Sequence, residues 1–152
     1  MMEYLEGVKK AKTLEIGELL VQAEGTEVKV NGAVHTIRDM GNVAFVILRK
    51  RDGLVQCVFE EGVTAFDLKE LKEASAVEVL GTIRKEERAA HGIEIRLKEI
   101  KVLSEPDEPL PLPISKWKLN TSLEAKLNMR PISLRNVRER AKFKIQEGLV
   151  RG

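Results

Sequence analysis

Cysteine is almost absent from these 152 residues. Only Cys57 is present, so no internal disulfide can form, and a reduced, cytoplasmic setting is the simplest expectation. Cys57 lies in an apolar run between Val55 and Phe59 and reads as a small core residue rather than a nucleophile. The two histidines, His35 and His91, stand far from each other and from Cys57, which leaves no spacing for a metal site. His35 falls in a strand-like run and His91 in a turn, so both read as surface or turn residues rather than general bases. No apolar run reaches the roughly 18 residues of a membrane span. The opening MMEYLEGVKKAK is charged and has no apolar segment of the secretory kind. There is no glycine-rich phosphate loop, no pair of carboxylates in an apolar setting, and no Ser/His/Asp or Cys/His set, so no catalytic residues are expected. Aromatic residues number only six, too few for a broad base-stacking platform.

What is present is an ordinary globular composition, 43% hydrophobic and 33% charged. Five strand-like runs fill residues 27 to 103. The first, EVKVNGAVHTIR, alternates Val28, Val30 and Val34 around Gly32, and a glycine inside a long strand marks a bend or bulge. VAFVILR and LVQCVF follow, joined by a turn in which Asp52-Gly53 is able to adopt positive φ. In GVTAFDLKELKEA the apolar residues Ala65, Leu68, Leu71 and Ala74 recur every three positions, which predicts a helix capped by Thr64. AVEVLGTIRKEE, with Gly81 at its centre, and IEIRLKEIKVL complete the set. The fold class is therefore mainly β. Three strands, a short helix and two strands give a five-stranded OB-fold barrel, although an open five-stranded sandwich reads similarly. The barrel, with a helical N-terminal lead-in, takes residues 1–103.

Residues 104–118 hold four of the five prolines and read as a semi-rigid hinge. Residues 119–152 read as a helical tail: TSLEAKLNMRP as a short helix ended by Pro131, then a helix with an apolar stripe at Val137, Ala141, Ile145 and Leu149. Such a stripe needs a partner surface. The net charge of +2 conceals an asymmetry, because residues 116–152 carry ten Lys/Arg against three Asp/Glu. A basic tail behind an acidic domain suggests a polyanion or an acidic partner, though a solvated helix face would look the same.

OB-folds that hold single strands use the face of the second and third strands. There Phe45 is either a stacking ring or a core ring. Gln56 faces opposite to Val55 and Cys57, and its amide can both donate to and accept from one base edge. Arg38, and Arg49, Lys50 and Arg51 at the hairpin tip, are candidate phosphate contacts or a solvated turn. Glu94 points outward on the fifth strand, where a carboxylate repels phosphate but accepts from base amino or imino groups.

VNGAVHTIRDMGNVAFVILRKRDGLVQCVF, with GIEI, PLPLP and LNMRPISLRNVRERAKFKIQEGLVRG, resembles the anticodon-binding OB domain of class II aspartyl-tRNA synthetases of the archaeal-like, Asx type. The last piece is similar to the segment that opens the catalytic domain and enters the first class II motif. The resemblance implies that Phe45 stacks on the central anticodon base, that Gln56 hydrogen-bonds that uridine, that Arg38 holds the anticodon backbone or a neighbouring base, and that Glu94 reads the first anticodon position. Ala33 stands where the family carries tryptophan, and Lys50 replaces the aspartate of its L-R-D. His35 stands where strictly aspartate-specific relatives carry a bulky residue, which implies tolerance of both Asp and Asn tRNAs. The second and third motifs, which bind ATP with magnesium and the amino acid in the family, are not found. The resemblance thus implies an anticodon-recognition module with no cofactor of its own, either an N-terminal piece of an ATP-dependent aspartate-tRNA ligase or a truncated paralogue. Its partners would be a tRNA anticodon loop and, through the stripe, a second copy or a full-length synthetase. A free-standing single-strand binder and a dimerisation or regulatory paralogue are the alternatives.

Overall fold

A computed structural model describes residues 14–152; the first thirteen residues of the expected helical lead-in lie outside this range. The remainder of that lead-in is a five-residue helix, α1 (Ile16–Leu20), whose first N–H donates to Asp52 Oδ2 at 2.8 Å. Five strands follow: β1 (Glu27–Asp39), β2 (Val43–Arg49), β3 (Leu54–Glu60), β4 (Ala76–Lys85) and β5 (Ile93–Ser104). They form a closed barrel in the order β1-β2-β3-β5-β4, which decides between the barrel and the open sandwich.

Closure rests on strands long enough to serve two neighbours. The first half of β1 pairs with β4 and the second half with β2, with a register shift between Val34 and Thr36 where the strand changes partner. β5 pairs antiparallel with β4 along its length and parallel with β3 over Gln56–Glu94, Cys57–Ile95 and Val58–Arg96. Period-two alternation sends Val28, Val30, Ala44, Val46, Leu48, Val55, Cys57, Phe59, Val77, Val79, Ile83, Ile95 and Leu97 inward as one core. Burial pushes the Cys57 thiol far above its usual pKa, which leaves it an inert core group. Gly81 sits at a register shift between β4 and β5, and a Cβ there would lie 2.4 Å from the Arg96 carbonyl oxygen and 2.7 Å from Ile95 Cγ2. Only glycine lets the two strands approach so closely.

Three local expectations need correction. The β3–β4 connector contains a single 3-10 turn, Leu68–Glu70, capped by Asp67 and not by Thr64. The period of three was that of a 3-10 turn, and the chain is too tightly pinned to wind further: Ala65 N–H donates to the Lys98 carbonyl, and Leu71 is drawn into the barrel core. Thr64 is buried, and its hydroxyl donates to the Leu97 carbonyl at 3.1 Å while accepting from Glu60 N–H. Gly53 does not adopt positive φ; its value lies in space, since a Cβ would lie 3.1 Å from Ile16 Cδ1. Pro131 does not end a helix but opens one. After α2 (Leu123–Asn128), it lies in the first turn of α3 (Arg130–Ser133), where its missing N–H costs nothing.

The tail has its own small core of Leu112, Ile114 and Leu119, packed by Leu110 and Ile132. Asn136 joins it to α4 (Val137–Arg151). Its Nδ2 donates to the Ile114 and Lys116 carbonyls at 2.9 and 2.7 Å, and its Oδ1 accepts from the N–H groups of Arg138 and Glu139. One buried amide thus caps the helix and fixes it to the proline segment. Along α4 the stripe is half-buried at Ala141, while Val137, Ile145 and Leu149 are exposed, the last two at 64% and 77%. No described helix is long and apolar enough to cross a membrane.

Gly81→Ala is expected to cost about 1–3 kcal/mol through overpacking at the β4–β5 contact. Gly17→Ala, which meets nothing within 4 Å, serves as the control. Denaturant unfolding checks this, and an unchanged midpoint for Gly81→Ala would contradict the steric argument.

Candidate nucleic-acid interface

The outer wall of β1, β2, β3 and β5 carries the candidate site, and strand register decides who meets whom. Arg38 is opposite Phe45, Phe45 is opposite Val58, and Val58 is opposite Arg96. The adjoining row runs from Thr36 through Ile47, Gln56 and Glu94 to Arg84. Phe45 is half-buried and flanked along β2 by the inward Ala44 and Val46, so its ring stands on the outer face and not in the core. Gln56 lies on the same face of the neighbouring strand, diagonal to it.

Gln56 Nε2 donates to Glu94 Oε2 at 3.1 Å. An ionised carboxylate only accepts, so this contact fixes which way the amide points. Oε1 and the second N–H of Gln56 are left for an incoming group. Glu94 is 4% exposed, deeper than its outward position suggested, and its other oxygen lies 3.7 Å from Arg84 Nη1. The carboxylate therefore acts first on its neighbours. Arg38 is exposed beside Phe45. Arg96, one row neighbour that strand alternation alone did not single out, pairs with Glu60 at 2.6 Å. Its outward direction was legible in β5; its adjacency to β3 was not.

The hairpin-tip cations separate from one another. Arg51 is exposed. Lys50 is a correction to the picture of a solvated turn: its side chain is buried, and Nζ donates to the Asn31 carbonyl at 2.9 Å and lies 4.0 Å from Glu15 Oε2. It ties the tip to β1 and does not reach the Phe45 wall. Arg49 is half-buried against the tail, and burial, then Arg135 and Arg140, hold its pKa below the usual value. His35 is likewise not a surface residue. It is 5% exposed at the β1 register shift, its Nδ1 has no partner among the described residues, and it lines a cavity of about 660 Å³ with Lys72, Glu73 and the proline segment. Burial, then Arg49, lower its pKa, against a smaller opposing effect of Glu73. It sits apart from the Phe45–Gln56 pair. Among the described residues no group of three or more His, Cys, Asp or Glu is placed to hold a metal.

The comparisons with known proteins agree with the barrel fold. A family model of tRNA anticodon type, described as an OB-fold nucleic acid binding domain, matches residues 28–103. The aspartate–tRNA(Asp/Asn) ligase of Saccharolobus solfataricus is 34% identical over 92% of this chain and 33% of its own length. The enzyme of the same name from Deinococcus radiodurans is 38% identical over 86% of this chain and 29% of its own length. The chain thus spans about a third of the curated relatives it matches. Among solved structures, asparaginyl-tRNA synthetase from Pyrococcus horikoshii, complexed with asparaginyl-adenylate, superposes with a TM-score of 0.76 at 26% identity, over 92% of this chain and 32% of that one.

The buried imidazole generates a pH prediction. With its folded pKa depressed, His35 binds fewer protons in the folded state than in the unfolded one, so its contribution is present above the ordinary histidine value of about 6.5 and is lost as pH falls below it. Thermal melts between neutral pH and pH of about 5 should show falling stability, and His35→Gln should flatten that slope. An identical slope in the variant would remove His35 as the cause.

Proposed function

The chain belongs to the OB-fold nucleic acid binding domain family, and from that premise we propose that it reads the anticodon loop of a tRNA for an aspartate-tRNA ligase. The observation that carries this reading is the Phe45 ring on the outer wall, diagonal to a Gln56 amide that Glu94 holds in one orientation. A ring there stacks on an unpaired base without reading its identity. The amide supplies the identity: Oε1 accepts from a base imino N–H while the second N–H of Nε2 donates to a base carbonyl, the pairing a uracil edge offers. Arg38, exposed beside Phe45, holds the neighbouring backbone or base.

Glu94 has a double part in this reading. It orients Gln56, and it discriminates at the first anticodon position, where a carboxylate accepts from a base but repels phosphate. Arg51 supplies charge at the tip. Because both named relatives carry Asp/Asn in their names, the reading extends to tRNAs of both amino acids. It assigns these residues binding and no catalytic step or cofactor, and it places them in the cytoplasm. The stripe Val137, Ala141, Ile145 and Leu149, exposed at all but Ala141, is the surface for a second copy or a full-length synthetase.

A general single-strand binder is the competing reading, and one prominent outer ring disfavours it. Titration with an Asp-anticodon stem-loop should show tight binding that Phe45→Ala weakens by about 1–3 kcal/mol. Replacing the central uridine should weaken wild-type binding and should matter less in Gln56→Ala. Equal affinity for an unrelated stem-loop or for oligo-dT would defeat the anticodon reading.

A further inference from the structure

A second, strongly cationic surface lies beyond the Phe45 wall. Phe45, Ile47 and Arg49 share the outer face of β2, so Arg49 stands about 13 Å along the strand from the stacking ring. There the tail folds back onto the hairpin tip. Arg49, Arg51, Arg135, Arg140 and Lys144 line one cavity of about 250 Å³. Arg140 Nη2 donates to the Arg51 carbonyl, which brings the helix to the tip. Among the described residues none of these five cations is in an ion pair, although many other cations of the chain are. Arg49 Nη1 is buried with no hydrogen-bond partner among the described residues. Asp52 also lines the cavity, its Oδ2 accepting from the Ile16 N–H, and Glu15 Oε2 lies 4.0 Å from Lys50 Nζ; among the described residues neither carboxylate forms an ion pair with the five cations.

Five unpaired like charges, against the one carboxylate of Asp52 in the same lining, repel one another, and a buried guanidinium N–H without an acceptor costs stability. A phosphate relieves both at once, because its oxygens match the planar fork of a guanidinium. We propose that Arg49, Arg135 and Arg140 form an anchor for an RNA phosphodiester, joined to the base-reading wall by the face of β2. Arg51 and Lys144 flank it. The ligand class is the backbone of the same RNA whose unpaired base meets Phe45, so the proposal rests on the anticodon reading for its RNA but on separate residues for its chemistry. The helical tail then belongs to the RNA surface as well as to any protein contact. The anchor carries no base specificity, since it touches phosphate alone.

The test uses the whole chain with Arg135→Gln and Arg140→Gln, singly and together, with Phe45→Ala alongside. Affinity for an anticodon stem-loop is measured over a range of salt, and thermal melting checks folding. The expected result is weaker binding whatever the central base, with the log–log salt slope falling by about one per guanidinium removed. Arg135→Lys should keep most of the slope. An unchanged slope and affinity in the double variant would overturn the anchor, even if Phe45→Ala still weakened binding. Loss of the Phe45 and central-base effects with the salt slope still dependent on Arg135 and Arg140 would instead sink the anticodon reading and leave the anchor standing. Poly-glutamate of matched charge displacing the RNA at equal or lower concentration would assign the cluster to an acidic protein segment and overturn the phosphate.

Discussion

The short parallel ladder between β3 and β5 is the contact on which the rest depends. It closes the barrel, and by setting Gln56 against Glu94 it also builds the outer wall. β5 reaches β3 only because β4 brings it close on the other side, which Gly81 permits at the one point where a side chain would strike the Arg96 backbone. Arg96 is itself opposite Val58, in the row that carries Phe45. A steric condition on one side of the barrel is thus linked, through two residue spacings, to the position of the ring and amide on the other.

Charge changes sign along that wall. At the centre a nearly buried carboxylate lies between an amide and Arg84. It lends no attraction to a polyanion, but it fixes the orientation of the group beside it. Toward the tip the sign reverses. Lys50 is withdrawn into the β1 contact, and the field there comes from guanidiniums of the hairpin and the tail. Fixed dipoles near the base and mobile counter-ion exchange near the backbone are the two means by which such a surface gains selectivity and strength.

The tail contributes to that field because it is held in place. Asn136 uses both ends of its amide, capping α4 and gripping the proline segment, so a basic helix that would otherwise be a solvated rod starts beside the hairpin. Cation–π contacts of Arg138 with Trp117 and of Arg130 with Phe143 support the same packing. Of the apolar stripe, Val137 and Ala141 line the cavity at the hairpin tip, and Ile145 and Leu149 are left exposed.

Alternation of apolar residues determined the five strands, their inward faces and the outward direction of Gln56, because a period of two is a local property that side-chain burial enforces; it left Phe45 between core and outer wall, and the inward Ala44 and Val46 beside it decided that. Local patterns failed where the answer was a neighbour distant in sequence. Thr64 looked like a cap and is a staple to Leu97; Lys50 looked solvated and is bonded to Asn31; His35 looked superficial and is enclosed by the proline segment. Glu94 beside Gln56, and Arg135 and Arg140 beside Arg49, were decided by tertiary structure alone. Burial and pairing of a polar group depend on what the fold brings against it, and no spacing within one strand or helix encodes that.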